Sequence, residues 1–255
     1  LFSSVESQPN DGLLDTVTIT KYSADFVVSE DGTAAVTEKI TGNFPEYRHG
    51  IFRYWDLADA HNPKVRFKPK KIEISLDGED LPYDLSWEKG RRFRVAKIGD
   101  PDRYLIPGLH TYEISYSIPG AISAEGDGSR FEWQVIPGGW GMLINQAEVS
   151  VTLPEKASET HCRIGSHLAC TPVKTTGKTT KISASTLAPY TQIRFAALMD
   201  SPAPKQVTRP WSIAWDQVMG TSAFLGIIAL LASLGTAFYG YLLAKRSKED
   251  PPGLP

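Results

Sequence analysis

Hydrophobic and polar residues alternate along most of the chain before residue 200, the pattern expected of half-buried β-strands. Ile72, Ile74 and Leu76 alternate with polar residues up to an Asp77-Gly78 turn, and the alternation resumes after it, which predicts a β-hairpin. Further strands with this period are expected within residues 112–118, 131–135 and 147–153. No stretch before residue 211 shows helical periodicity over three turns. The pattern therefore predicts a β-rich domain.

The first predicted strand changes phase along its length. Val17 and Ile19 lie in one phase, whereas the alternating series that begins at Tyr22 lies in the other. One extra residue in a strand produces such a slip, so we expect a β-bulge near Lys21. Asp31-Gly32 then predicts a turn into a second strand.

Short strands with turn signals every 8 to 12 residues or so are typical of an antiparallel β-sandwich. We expect this fold over residues 15–200, and the loop 120–128, rich in Gly, Ala and Ser, is a candidate boundary between two sub-lobes. Residues 1–14 are polar and begin with Leu1 rather than Met. We expect them to form an N-terminal extension that remains after removal of a signal peptide.

A long uncharged segment follows the β-rich part. The 28 residues between Asp216 and Lys245 carry no formal charge, and about 20 apolar residues are enough to cross the hydrocarbon core of a membrane. A buried core helix is the alternative, but such helices rarely run this long without a charge. The chain should then end with a Pro-rich spacer (201–216), one transmembrane helix (217–244) and a short tail (245–255).

The residues that flank this segment predict its orientation. Lys245 and Arg246 follow it directly, whereas Asp216 is the nearest charge on the other side. By the positive-inside rule the tail is cytoplasmic and the β-domain is extracytoplasmic. Trp211 and Trp215 precede the segment and, together with the two basic residues, are the expected anchors at the membrane interfaces.

Small residues recur on one face of the predicted helix. Their spacings of four and three place them in a single stripe, formed by Ser222, Gly226, Ala229, Ser233, Thr236 and Gly240. Such a stripe lets a second helix approach closely, which predicts another membrane protein as a partner. The alternative is that Gly, Ala and Ser are simply common in membrane helices.

Composition and charge narrow the possible functions. Hydrophobic residues make up 41% of the chain and charged residues 22%, as in proteins with a packed core. The formal net charge of −2 argues against binding to nucleic acid. Cys162 and Cys170 would form a disulfide outside the cytoplasm. His161 and His167 leave a zinc site conceivable, although the spacing fits no standard zinc pattern.

No recognisable catalytic motif is present in the sequence. We find no nucleophile elbow, Walker loop, zinc-protease motif or dinucleotide fingerprint, and we therefore expect no catalytic residues, no metal and no cofactor. Trp87 and Trp133 fit the inward phase of strands, so we expect them in the core.

One charged and aromatic stretch is a candidate recognition surface, with Arg48, His49, Arg53, Tyr54 and Trp55 as its expected members. The alternative is an ordinary strand edge, with Ile51 and Phe52 in the core and both arginines in solvent. The two interpretations have equal support from the sequence.

The order of several short motifs resembles a known family. After the Asp31-Gly32 turn come Val36-Thr37-Glu38 and His49-Gly50-Ile51-Phe52-Arg53, and later Leu187-Ala188-Pro189 and Thr191-Gln192-Ile193-Arg194-Phe195. This order is similar to that of bacterial predicted membrane proteins that carry the domain of unknown function 2207. The resemblance implies a signal peptide, an extracytoplasmic β-domain and a following membrane helix, but no activity and no catalytic residues.

Three functions remain as hypotheses for a protein of the bacterial plasma membrane. The first is a non-enzymatic accessory or scaffold subunit of a cell-envelope complex, which would touch the lipid bilayer and another membrane protein. The second is a module that binds envelope glycan or lipid headgroups. The third, with least support, is an uncharacterised envelope hydrolase.

Overall fold

The computed structural model describes residues 15–58, 67–89, 91–171, 173–204 and 223–249. The chain divides into two units, Leu1–Pro210 and Trp211–Pro255. In the described part, the first unit consists of β-strands and the second of one helix. The prediction of a mainly β chain with one C-terminal apolar helix is confirmed.

The largest sheet has eight strands, in the order β14-β15-β11-β1-β2-β8-β4-β5. Its strands are β1 (Thr18–Val28), β2 (Ala34–Phe44), β4 (Lys70–Leu76), β5 (Glu79–Asp80), β8 (Gly108–Ile118), β11 (Leu143–Thr152), β14 (Val173–Thr176) and β15 (Thr179–Leu187). All of its pairings are antiparallel except that of β1 with β11, which is parallel. The register of β1 against β2 shifts between Ile19 and Lys21, which confirms the predicted bulge.

A five-stranded sheet, in the order β13-β12-β16-β10-β9, supplies the opposing part of the sandwich. Its strands are β9 (Ile122–Glu125), β10 (Gly128–Ile136), β12 (Glu159–Ile164), β13 (Leu168–Ala169) and β16 (Ile193–Met199). The segment 120–128 therefore contributes a paired strand to this sheet. A single hydrophobic cluster includes residues of both sheets, so this segment does not separate two cores.

The third sheet is small and has the order β3-β7-β6. Its strands are β3 (Gly50–Asp56), β6 (Tyr83–Glu88) and β7 (Phe93–Gly99). The predicted hairpin at Asp77-Gly78 forms between β4 and β5, but the residues after it leave the sheet and pair with β7 instead. The core position predicted for Trp133 is confirmed at 6% exposure, whereas that of Trp87 is wrong at 38%. Trp87 lies on the edge strand β6, which has a neighbour on one side only.

The C-terminal unit contains α1 (Ala223–Glu249). Within it, Phe224–Arg246 is long and apolar enough to cross a membrane. Lys245 and Arg246 lie in the last turns of α1 rather than in a separate tail. The Ser233 hydroxyl donates to the carbonyl of Ala229, so this hydroxyl is satisfied within the helix. The predicted anchors Trp211 and Trp215, and Ser222 of the stripe, lie outside the described residues.

Candidate functional site

Strand β3 divides the candidate recognition surface between the two faces of its sheet. Ile51, Arg53 and Trp55 point into the core, at 5%, 2% and 1% exposure, because alternate residues of a strand face the same side. The prediction that Arg53 and Trp55 form a recognition surface is therefore wrong. The alternative also fails in part, since Phe52 is 46% exposed and Arg53 is not in solvent.

Arg53 forms an ion pair with Glu38 inside the domain. Its Nε donates to Glu38 Oε2 at 2.7 Å and its Nη2 to Oε1 at 2.6 Å, while the Tyr116 hydroxyl donates to the same Oε1 at 2.6 Å. The guanidinium also lies over the ring of Trp55, 4.8 Å from its centre. Because Glu38 belongs to β2, this pair joins the three-stranded sheet to the eight-stranded sheet.

Burial and the charges of neighbouring groups fix the protonation states of Arg53 and of the two tyrosines near it. Burial opposes the charge of Arg53, but the attraction of Glu38 outweighs it and the pKa of Arg53 is raised. Burial, and then the charge of Glu38, raise the pKa values of the Tyr22 and Tyr116 hydroxyls well above 10. Arg53 therefore stays charged and both phenols stay neutral, so the cluster acts as a clamp between sheets.

An open cavity of about 370 Å³ lies at the start of β3. We call it the groove; among its lining residues are Tyr47, His49, Gly50, Lys97, Gly99 and Tyr104. Gly50 of β3 and Gly99 of β7 are paired across the sheet and have φ values of +150° and +137°. A Cβ on Gly50 would lie 1.8 Å from the carbonyl oxygen of Ile98. The two backbones can meet this closely only because both residues are glycine.

Stacked rings form one wall of the groove. The rings of His49 and Tyr104 lie with their centres 4.1 Å apart, and the ring of Tyr47 meets Tyr104 edge-on at 6.4 Å. His49 Nδ1 lies 3.2 Å from the carbonyl oxygen of Asp100 and 3.1 Å from that of Arg103. Carbonyls only accept hydrogen bonds, so Nδ1 carries a proton. His49 thus holds the loop 100–107 that carries Tyr104.

Basic side chains supply the charge of the groove. Arg48, His49 and Lys97 are among its lining residues, and no described lining residue is acidic. Arg48 forms an ion pair with Asp15, with Nη1 2.6 Å from Oδ1. Lys97 is exposed on β7, directly opposite Phe52 of β3. A smaller cavity of about 170 Å³ lies on the other side of the ring wall and is lined partly by acidic residues, Glu79, Asp80 and Asp100.

A second histidine holds the far end of the same loop. His110 Nδ1 lies 2.7 Å from Asp77 Oδ2, and its Nε2 lies 2.7 Å from the carbonyl oxygen of Ile106. A carboxylate and a carbonyl both accept, so only the imidazolium form of His110 can donate from both ring nitrogens, and these contacts favour that form. Partial burial opposes this charge, but the hydrogen bonds to Asp77 and Ile106 outweigh burial and raise the pKa of His110 above 6.5.

Cys162 and Cys170 form a disulfide. Their sulfurs are therefore not thiolates, which removes the basis of a zinc site with His161 and His167. His161 Nε2 lies 3.1 Å from Glu159 Oε1, and both histidines line a shallow cavity beside the disulfide. Among the residues that the structure describes, no group of three or more His, Cys, Asp or Glu side chains is placed to hold a metal ion.

The sequence identified the groove only in part. His49 and Arg48 line it as members of the predicted surface, and Tyr54 is half-buried outside its lining. Lys97 and Tyr104 were missed because they come from β7 and the loop after it, which sequence pattern alone does not place beside β3. The paired glycines were the available signal, since Gly50 begins β3 and Gly99 ends β7 and neither fits an ordinary hairpin turn.

The sequence of the β-domain matches a known family. Residues 18–199 match the family model described as "Predicted membrane protein (DUF2207) N-terminal domain". The chain is 24% identical over 139 residues to the uncharacterized protein YciQ of Escherichia coli K12, an alignment that covers 52% of this chain and 21% of that protein. The aligned part thus spans only about a fifth of that relative's length.

Many solved structures share a likeness in backbone with this chain, and two serve as examples. Yeast LTA4 hydrolase bound to bestatin matches with a TM-score of 0.43 and 11% identity, over 71% of this chain and 28% of that one. An M1 zinc metallopeptidase from Deinococcus radiodurans matches with a TM-score of 0.38 and 13% identity, over 70% and 42%. At identities and TM-scores this low, these likenesses say nothing about the activity of this chain.

Proposed function

Because the chain belongs to the family of predicted membrane proteins with a DUF2207 N-terminal domain, we propose that it is a non-enzymatic accessory or scaffold subunit of a cell-envelope membrane complex. In this proposal α1 crosses the bacterial plasma membrane and packs against a helix of another membrane protein. The β-domain is extracytoplasmic and offers a second docking surface. The C-terminus is cytoplasmic.

The single observation that carries this proposal is the surface of α1. Its large apolar side chains are exposed, among them Phe224 at 71% and Leu231 at 61%, as expected of a helix whose solvent is lipid. Gly226, Ala229, Ser233, Thr236 and Gly240 recur along one side of α1. Nothing lies within 4 Å of the Cβ positions of Gly226 and Gly240, so there is room for a second helix to approach closely there.

The basic end of α1 supports the proposed orientation. Lys245 and Arg246 are exposed in its last turns, where cations also interact favourably with the helix dipole. Basic residues at one end of a membrane helix favour the cytoplasmic side.

The clamp between the sheets gives a buried charged pair a structural role. The charged pair most deeply withdrawn from solvent among the described residues is Arg53–Glu38, and it is occupied in joining β2 to β3. A general acid or base must reach its substrate and exchange protons near neutral pH. Arg53 and its neighbouring tyrosines do neither, because burial and mutual attraction hold each in one protonation state.

Co-purification from native membranes in a mild detergent tests this function. The wild-type chain should recover a defined membrane protein, and the double variant Gly226→Leu, Ser233→Leu should lose it because leucine side chains hold the helices apart. Gly235→Leu is the matched control, since Gly235 lies nine residues beyond Gly226 and therefore on the opposite face. Recovery of the same partner by the double variant, or no defined partner for the wild type, would contradict the proposal.

A further inference from the structure

We propose that the groove binds an acidic carbohydrate, that is, a sugar ring that carries a negatively charged group. This site goes beyond docking to a membrane protein, because it needs no partner helix. It rests on the floor, the ring wall and the charge of the groove, which are independent features of the described residues.

The floor of the groove is a built feature of the domain. Gly50 and Gly99 bring two paired strands so close that a Cβ on either would overlap a backbone carbonyl, at 1.8 Å in both cases. Both glycines line the open cavity together with the rings of Tyr47, Phe52 and Tyr104. Its volume of about 370 Å³ is within the range of small-molecule sites in proteins.

The walls offer flat apolar surfaces with polar edges. Tyr47 and Tyr104 are 66% and 63% exposed, and Phe52 is 46% exposed. Contiguous exposed apolar patches often mark binding sites, and a tyrosine adds a hydroxyl at its tip. A sugar ring has the complementary character, since its C–H face can lie on an aromatic ring while its hydroxyls meet polar groups at the rim.

The charge of the groove selects an acidic sugar. Lys97 is paired with Phe52 across the two strands, and both line the groove, so one ligand can stack on the ring and place an anion on the lysine. Charge-assisted hydrogen bonds of this kind are stronger than neutral ones. The neighbouring cavity is lined by Glu79, Asp80 and Asp100 as well as by Arg103, whereas the groove is lined by Arg48 and Lys97 and by no described acidic residue.

An extended acidic peptide fits this site less well than a sugar does. Peptides that add to a sheet edge pair with its free backbone groups, and β3 is the edge strand nearest the groove. Two of its carbonyls are already occupied, that of Phe52 by Trp140 Nε1 at 2.8 Å and that of Tyr54 by the Arg53 guanidinium. Recognition here must therefore use side chains rather than strand pairing.

The groove and the last described residues of the β-domain lie at opposite ends of the large sheet. Pro204 lies against Gly32, in the turn between β1 and β2, whereas the groove lies beyond Phe44, at the other end of β2. The eleven residues of β2 span roughly 33 Å at the rise of a β-strand. A ligand in the groove is thus far from the point at which the described chain leaves the domain.

Calorimetric titration of the full chain in nanodiscs of phosphatidylcholine tests the proposal. Trigalacturonic acid should bind, and its methyl ester, which keeps the rings but loses the charge, should bind at least about tenfold more weakly. Lys97→Met should lower the affinity for the acid by about tenfold and leave the affinity for the ester unchanged, whereas Tyr104→Ala should lower both affinities. Lys181→Met is the control, because Lys181 is an exposed lysine on β15, outside the lining of the groove.

Several results would overturn this assignment. Equal affinity for the acid and the ester would remove the role of charge, and equal effects of Lys97→Met and Lys181→Met would remove the role of Lys97. Binding of tetra-aspartate as tight as that of the sugar acid would assign the groove to acidic peptides. If dihexanoyl-phosphatidylglycerol displaces the bound sugar at a lower concentration than the sugar needs for its own binding, the groove would be assigned to a lipid headgroup. Thermal unfolding of each variant separates lost binding from lost structure.

Discussion

Arg53 and Glu38 are buried together, at 2% and 0% exposure of their side chains. Removing two charges from water costs several kcal/mol or so for each ion, and their mutual attraction and hydrogen bonds offset most of this cost. A complete pair of this kind adds little net stability. A broken one leaves a single charge in the interior, which is why each partner depends on the other.

Glu38→Gln should therefore destabilise the protein strongly. Because Arg53 would keep its charge without a counterion, we expect the free energy of unfolding to fall by about 3–5 kcal/mol. Urea unfolding of the full chain in detergent, followed by tryptophan fluorescence, measures this. Glu148→Gln is the matched control in the exposed pair with Lys21 and should cost at most about 1 kcal/mol. Similar losses for both variants would contradict the role given to burial.

His110 should make stability depend on pH near neutrality. Its folded pKa is raised above 6.5, so its contribution is fully present below that ordinary value and is lost as the pH rises through the raised pKa. The groups that face the ring are Asp77, the carbonyl of Ile106 and the ring of Phe44. Thermal midpoints from pH 5.5 to 8.5 or so measure this effect. His110→Gln should flatten the decline, and an unchanged decline would assign it to other groups.

At the scale of elements, the contact between β3 and β7 depends on two glycines. Gly50 and Gly99 face each other with positive φ values, and each leaves no space for a Cβ. The strand pairing, the floor of the groove and the position of His49 beside Gly50 all follow from this contact. Gly78, in the turn between β4 and β5, also has a positive φ, of +88°, but nothing lies within 4 Å of its Cβ position.

This contrast between glycines is testable. Gly78→Ala should cost about 1–2 kcal/mol of unfolding free energy, since only the backbone conformation is disfavoured. Gly50→Ala adds a backbone overlap that the flexible end of a side chain cannot relieve, and we expect a loss of about 3 kcal/mol or more. Thermal unfolding of both variants, compared with wild type, measures the difference. Equal losses would show that space at Gly50 is not limiting.

At the scale of the whole molecule, a β-domain and an apolar helix occur in one chain. The family match covers residues 18–199, so it includes the β-domain and ends before α1. The helix is recognised by its length and composition, with Phe224–Arg246 as the candidate span. Its direction across the membrane stays a prediction from the basic residues at one end.

Fusions to alkaline phosphatase, which is active only outside the cytoplasm, test this direction. A fusion after Pro204 should be active and a fusion after Pro255 inactive, because Lys245 and Arg246 favour the cytoplasmic side. Exchanging both basic residues for Gln should raise the activity of the C-terminal fusion. The reverse pattern of activities would place the β-domain in the cytoplasm. It would also contradict the prediction that Cys162 and Cys170 form their disulfide outside the cytoplasm.

The amino-acid sequence by itself determined the elements that depend on neighbours along the chain. The alternation of hydrophobic and polar residues predicted the strands, and the phase slip in the first strand predicted the bulge near Lys21. The long uncharged segment predicted α1. The Asp77-Gly78 turn followed from local backbone preference. Each of these features depends on residues within about one element, because side-chain direction in a strand or helix repeats over two to four residues or so.

The tertiary structure alone decided which elements meet. A charged side chain such as that of Arg53 is usually exposed to solvent. Arg53 nevertheless lies in the core, because Glu38 of another sheet faces it. Strand β6 pairs with β7 instead of completing the expected hairpin. Lys97 and Tyr104 line the same cavity as His49, although they lie far from it along the chain. Burial and charge pairing depend on the residues that surround a side chain in space, and local sequence pattern does not specify those residues.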